Sequence, residues 1–441
     1  MRSPDWMDAP VPTGDLENDA LRMHDFLRAG EALLEELPAK PYRSPAERQE
    51  ANRLLDVGRR TRAAFMDRHA QAVYDRLTDA GDRFLRLPEL LRLAADGFPT
   101  LVPTEQELGV ERARPLALQD GREIDQAIFV RGVLRAERAG LHLMEAMLRP
   151  TARAVELLDV LHEEGAVDLG TVLLERHGVS GRVTLQNNDC LNAEDMRLVS
   201  DLETAIDLVS IDERIHVGVL RGGVMTHRKY EGRRVFCAGI NLRALNEGRI
   251  PLVDFLLVRE FGLVRKLQCG VLMPRSGPFD LAHQKPWVAA VEAFAIGGGM
   301  QLLLAVDHVI AARDAYFSLP AAHEGIIPGA ASLRLTRWLG SRLSRRIVLG
   351  GERIAASHSA AALLCDQTVA PEEVDAAIDA AIEGLDSPAV VANRRLLNLA
   401  EEPPDAFRLF MAEFAVVQAL RVHSDDVAEK TARFSTSATS R

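Results

Sequence analysis

The spacing of apolar positions divides the chain into a helical stretch, a stretch in which short strands alternate with helices, and a second helical stretch. From Arg28 to about His177 the apolar residues recur at three- and four-residue intervals, in segments 27–37, 44–80, 82–98, 123–136 and 141–165. That period places them on one face of successive helices. Ser44 followed by Pro45 supplies a capping hydroxyl and a first-turn proline to one of these starts. Near Gly181 the period falls to two. Arg182 to Gln186 alternates as a strand, Asn187-Asn188-Asp189 marks a turn, Asn192 to Val209 reads as an amphipathic helix, and His216 to Arg221 as another strand. Farther on, Trp287 to Val291 is a short apolar run of the kind buried on both faces. Gly297 to Gly299 break it, and Met300 to Ala312 reads as a helix, apolar except at Gln301, Asp307 and His308. Residues 270–285 form an irregular loop. From Pro371 the pattern is helical again, and Asp426-x-x-Glu429 offers a capping box within the 412–434 segment. Residues 1–28, polar and punctuated by Pro and Gly, read as a loose arm. The divisions expected are therefore 1–28, 29–178, 179–370 and 371–441.

Two glycine turns carry the candidate chemistry. In the first, Arg233 to Leu242 runs from a strand-like segment into a turn at Gly239; in the second, Pro286 leads through a strand into the glycine triplet. A strand–glycine turn–helix unit aims unpaired N–H groups at one place, which suits a developing negative charge. Close packing of helix on sheet is the plainer use of such a triplet, and no GxGxxG is present for a dinucleotide.

Composition narrows the classes. A net charge of −11 argues against a nucleic-acid or anionic-membrane surface. Cys190, Cys237, Cys269 and Cys365 are scattered, without a CxxC, and MRSPDWMDAP lacks the apolar core of a signal peptide, so a reducing cytoplasm is expected. The apolar run Phe294 to Val306 is shorter than the roughly 20 residues of a spanning helix. His162-Glu163-Glu164 and His423-Ser424-Asp425 have ligand-like spacing but no second histidine to complete a facial triad, and no flavin or nicotinamide fingerprint occurs. The expected cofactor and metal complement is none.

Three ordered motifs resemble the crotonase superfamily: Phe236 to Leu242 as F-x-A-G-x-N-L, the proline-to-triplet segment Pro286 to Gly299, and the turn Ile327-Pro328-Gly329-Ala330. The resemblance spans roughly Gly181 to Phe434. It implies an α/β fold, a spiral of β-β-α units with an N-terminal all-helical domain and C-terminal helices that build homo-oligomers, either a trimer or a dimer of trimers. It implies an oxyanion hole from the backbone N–H groups of Ile240 and Gly298, within the turns of Gly239 and Gly297. Hydratases of this superfamily use two glutamates, and the matching positions here are Gln301 and Ala321. An amide accepts no proton near neutral pH, so ordinary hydration is not expected.

The helical extension, the Gly-Gly-Gly-x-Gln end, the run from Ser318 to Ala331 and the 189–195 segment together resemble the cofactor-independent dioxygenases that oxidise a dihydroxyphenylacetyl thioester in glycopeptide-antibiotic pathways. This implies an aryl-CoA thioester and O2 as substrates. It implies Glu194 against a substrate phenol, Arg259 beside Glu194 or the substrate, and Gln301 hydrogen-bonded to substrate or peroxide. An apolar O2 pocket would come from Leu319, Ala321, Ala322, Ile326 and Ile327. Taken without the resemblance, Glu194 reads as dipole compensation at a helix start, Arg259 as a surface arginine, Gln301 as a satisfied amide, and the apolar five as core. Rival functions are thioester hydrolysis or isomerisation on the same scaffold, and a non-catalytic acyl-CoA-binding scaffold. The loop after Gly270 is shorter than in those dioxygenases and lacks their tryptophan-rich stretch.

Overall fold

A computed structural model describes residues 9–273, 282–427 and 429–430. The centre of the 270–285 loop and the end of the expected 412–434 helix lie outside them. The chain folds as two compact units, one comprising Met1–Met147, Leu245–Asp254 and Arg408–Arg441, the other Leu148–Ala244 and Phe255–Phe407.

The first unit is helical. Its 33-residue helix Pro45–Leu77 starts at Ser44 with a full capping box to Glu47, as the Ser-Pro start predicts. The expected loose arm is corrected here. Asp15 caps a helix over Leu16–Glu35 by accepting from Asn18 N–H, and that helix buries Met23, Leu27 and the carboxylate of Asp19. Polar composition hid an amphipathic face of only a few positions.

The second unit is built on sheets. Among the described residues its strands are β1 (Ala166–Asp168), β2 (Val172–His177), β3 (Ser180–Leu185), β4 (Val217–Gly222), β5 (Trp287–Val291), β6 (Phe294–Ile296), β7 (His308–Ala312), β8 (Tyr316–Ser318), β9 (Ile354–Ala355) and β10 (Gln367–Val369). The larger sheet has the order β1-β2-β3-β4-β5-β7-β10, and β6-β8-β9 form a smaller one. β1, β2 and β3 pair antiparallel, whereas β3 through β10 of the larger sheet pair parallel.

Two helical readings are corrected by this sheet. The helical pattern does not run to His177, because β1 and β2 extend the edge beyond β3. Nor is 300–312 one helix: it ends at Leu303, Asp307 turns back to accept Trp287 N–H at 2.8 Å, and His308–Ala312 enters the sheet between β5 and β10. A short apolar run suits a buried strand and a buried helix equally; the β-branched pair Val309-Ile310 and two waiting neighbours decide it.

Candidate active site

Both glycine turns come together at the end of the second unit's parallel strands. Glu194 N–H donates to Gly239 O at 2.7 Å and Asn241 N–H to Glu194 O at 2.9 Å, so the first turn is laced to the chain leaving β3. Ile296 N–H donates to Cys237 O at 2.9 Å, and Gly297 N–H to Ser318 O at 2.8 Å, which laces the second turn to the first and to β8. Gly239 and Gly297 take φ of +87° and +54°, conformations that favour glycine. A Cβ on Gly239 would stand 3.4 Å from Gly298 N, so the two turns are separated by less than a side chain. Among the described residues neither Ile240 N–H nor Gly298 N–H has an acceptor. These are two fixed donors at adjacent turns, the arrangement an enolate oxygen needs.

Beneath them lies a buried charge cluster. Glu194, Arg259 and Glu260 are each 3% exposed. Arg259 uses all five of its N–H donors. Nε donates to Glu194 Oε2 at 2.9 Å, and Nη2 to Glu194 Oε1 at 2.8 Å and Gly298 O at 2.9 Å. Nη1 donates to Glu260 Oε1 at 2.7 Å and Gln301 Oε1 at 2.9 Å. Desolvation alone would lower the guanidinium pKa; the carboxylates of Glu194 and Glu260 overcome it, and the net direction is upward. Arg259 is therefore a fixed cation, with no donor left over for substrate.

Each member of the triplet has its own reason to be glycine. Gly297 has the positive φ. A Cβ on Gly298 would stand 1.8 Å from Glu194 Oε2, and one on Gly299 would stand 2.7 Å from Cys237 Cβ. Burial first, and then the Glu194 charge, push the Cys237 thiol well up, so it stays neutral. Glu194 does not begin the following helix: Asp195 caps that helix, over Met196–Ile211, and Glu194 pairs in extended form with Ile240.

Gln301 is oriented by the cluster. Its oxygen faces Arg259, so its amide N–H2 faces the other way. Ala321 is buried at the start of the short helix Ala321–Glu324. At these two positions the site offers an amide donor and a methyl group, and no proton acceptor. Leu319 is wholly buried, while Ala322, Ile326 and Ile327 are half-buried on the segment that follows β8.

Glu260 was not anticipated from the sequence. Its Oε2 accepts Ala330 N–H at 3.0 Å, and a Cβ on Gly329 would stand 2.2 Å from its Oε1. It thereby ties the Ile-Pro-Gly-Ala turn to Arg259 and, through Arg259, to Gly298. Neighbouring residues on an ordinary helix diverge, so Arg259 and Glu260 were not expected in one cluster. The chain here is a wide π-helix over Arg259–Val264, and both side chains are buried.

Comparison with known proteins adds to this geometry. A family profile described as enoyl-CoA hydratase/isomerase matches residues 281–417. The chain is 56% identical over 402 residues to the (3,5-dihydroxyphenyl)acetyl-CoA 1,2-dioxygenase of Amycolatopsis orientalis, covering 91% of this chain and 92% of that one. The chain belongs to the crotonase, or enoyl-CoA hydratase/isomerase, family. A more distant crotonase relative, a probable enoyl-CoA hydratase of Rhizobium meliloti (strain 1021), is 30% identical over 275 residues, covering 60% of this chain and 97% of its own length. Among solved structures, an enoyl-CoA hydratase from Bacillus halodurans superposes with a TM-score of 0.50 at 22% identity, covering 60% of this chain and 100% of that one. That likeness concerns the crotonase fold alone.

Proposed function

We propose that this chain is a dioxygenase converting 3,5-dihydroxyphenylacetyl-CoA and O2 to 3,5-dihydroxyphenylglyoxylate and CoA. The observation that carries the reading is the 56% identity, along 91% of the chain, to a protein of that activity. The site supports it. Removal of a proton from the carbon between ring and thioester leaves an anion shared with the thioester oxygen, and the Ile240 and Gly298 N–H groups are placed to hold that oxygen. The carbanion then reduces O2, forming a C–O bond and a peroxide. The terminal peroxide oxygen attacks the thioester carbonyl, C–S cleavage releases CoA, and O–O cleavage with loss of the second α-proton leaves the keto acid. One thioester and one O2 give one keto acid and one thiol, with no other reductant.

In this reading Glu194 and the Gln301 amide face the phenolic end or the peroxide, and Arg259 holds both in place. Leu319, Ala321, Ala322, Ile326 and Ile327 wall an O2 pocket. The electron-rich anion itself supplies the electrons, so no metal or organic cofactor is required. A cytoplasmic homo-oligomer, a trimer or dimer of trimers, is part of the same proposal. Leu396, Leu397 and Leu399, more than half exposed on the helix Pro388–Glu401, support an oligomer by offering an apolar face. Neither nucleic acid nor membrane is a partner in it; among the described residues no helix is long and apolar enough to cross a bilayer.

An oxygen electrode tests the reading. Purified protein in excess chelator should consume one O2 per 3,5-dihydroxyphenylacetyl-CoA and release an equal amount of thiol. Thiol release without oxygen uptake would make the protein a hydrolase.

A further inference from the structure

We propose that Lys285 is a site of covalent modification, at which its ε-amine takes an acyl group from an acyl-CoA thioester. Lys285 lies two residues before β5, and it borders a cavity of about 610 Å3 that none of the residues of the glycine turns lines. Apolar walls come from Ile211, Ile215, Pro388 and Val391.

The charge environment sets this amine apart. Among the described residues its one hydrogen bond runs from Nζ to the backbone oxygen of Asp212, the residue that ends the helix Met196–Ile211. The Asp212 carboxylate is spent elsewhere. Its Oδ1 accepts Arg214 N–H and Nε at 3.0 Å each, and its Oδ2 accepts Arg214 Nη2 at 3.0 Å. The other charged groups at the cavity are Glu213, His216, Asp386 and Arg395, with His283 on the same segment. His216 Nδ1 and Asp386 Oδ1 pair with each other at 2.8 Å, and Arg395 donates to Ala282 O. Among the described residues no carboxylate lies within 4 Å of Nζ. Burial of the unpaired cation draws its pKa down to about 8, against the weaker opposing pull of Asp212 and Glu213.

Capping the helix is a structural use of the same group, but it engages one N–H of three, and an arginine would serve as well. Arginine is the usual cation of this chain: its only lysines are Lys40, Lys229, Lys266, Lys285 and Lys430. Lys266 is buried between Glu203 and Asp207 at 2.8 Å each, and Lys430 pairs with Asp426. Lys285 combines an unpaired amine with an apolar cavity, and the family supplies the electrophile in its acyl-CoA substrates. In the reaction Nζ attacks the thioester carbonyl, the C–N bond forms, the C–S bond breaks, and the amine proton leaves with the CoA thiol. The amide keeps one N–H for Asp212 O while the acyl group lies along the apolar wall.

The magnitude is sufficient to observe. At pH 7, lowering a lysine from its usual value of about 10.4 to about 8 raises the free-amine fraction roughly 200-fold. Lower basicity costs roughly tenfold in nucleophilicity, taking the slope known for thiols. A gain of roughly twentyfold over an ordinary exposed lysine remains.

The test uses the intact chain incubated with acetyl-CoA between pH 6 and 10, with acetylation of each lysine followed by peptide mass spectrometry. Lys285 should acetylate about twentyfold faster than the exposed Lys229 at pH 7, and its rate should level off just above pH 8. The Lys285→Arg variant, which keeps the cap, should lose that fast phase while retaining its circular dichroism spectrum. A Lys285 rate equal to or below that of Lys229 at pH 7, or one still climbing at pH 10, overturns the proposal. Neither result bears on oxygen uptake, so the proposal stands or falls apart from the dioxygenase reading.

Discussion

At Gly298 the residue is dictated by a neighbour's charge as much as by the backbone, since any Cβ there would meet Glu194 Oε2 at 1.8 Å. Gly298→Ala must therefore displace either the carboxylate or the turn that carries the proposed oxyanion donor. Loss of one such donor costs on the order of 100-fold or more. We expect Gly298→Ala to abolish both oxygen uptake and the anaerobic exchange of α-protons with D2O. Glu194→Gln keeps the shape and leaves both donors in place. It should slow oxygen uptake by roughly tenfold with little change in KM, the mark of an interaction made in the transition state, while exchange persists. If Glu194→Gln and wild type took up oxygen equally, Glu194 would be merely structural. Much of this site was legible. The resemblance implied Ile240 and Gly298, which lie in adjacent turns, and Glu194, Arg259 and Gln301, which meet at one guanidinium. What pattern could not show was the π-turn that buries Glu260 beside Arg259, because an i,i+1 pair carries no helical signal.

Among the elements, the Leu16–Glu35 helix shows how one buried group anchors a segment that composition marks as loose. Asp19 accepts Thr13 N–H at 2.9 and 2.8 Å, Thr13 Oγ1 at 2.9 Å and Gly14 N–H at 2.9 Å, and it pairs with His69 Nε2 at 2.8 Å. Burial opposes its ionisation, but the bonds from Thr13, Gly14 and His69 outweigh burial and hold its pKa well below the usual aspartate value of about 3.9. Because the folded value is the lower one, the unfolded chain binds the proton more tightly. The stabilisation is complete above about pH 5 and is lost as pH falls through the unfolded value toward the folded one. Asp19→Asn should lower the melting temperature of the helical unit at pH 7, by a margin that shrinks as pH falls from about 5 to 3. A margin independent of pH would assign the loss to shape alone. Elsewhere the elements read well where capping and period agreed, as at Ser44 and along Trp287–Val291. They read poorly where tertiary partners decided the outcome: β1, β2 and β7 are short, and their identity lies in the strands beside them.

For the whole molecule, the proposed site would hold an enolate at two glycine turns, and the two hydratase glutamates are replaced, with Gln301 held by Arg259 and Ala321 buried. In the proposed reading a crotonase so altered forms the anion but lacks the hydratase pair of glutamates that adds water, and the 56% identity to a dioxygenase over 91% of the chain supports O2 as the anion's partner. The central claim is that both atoms of O2 enter one product, because the reaction balances without water. Turnover of 3,5-dihydroxyphenylacetyl-CoA under 18O2 in ordinary water, quenched early and analysed by mass spectrometry, measures this directly. The account predicts 3,5-dihydroxyphenylglyoxylate carrying two heavy oxygens, one in the keto group and one in the carboxylate. Product with one heavy oxygen and one from water would contradict it, and unlabelled 3,5-dihydroxyphenylacetate would show that the chain is a thioesterase.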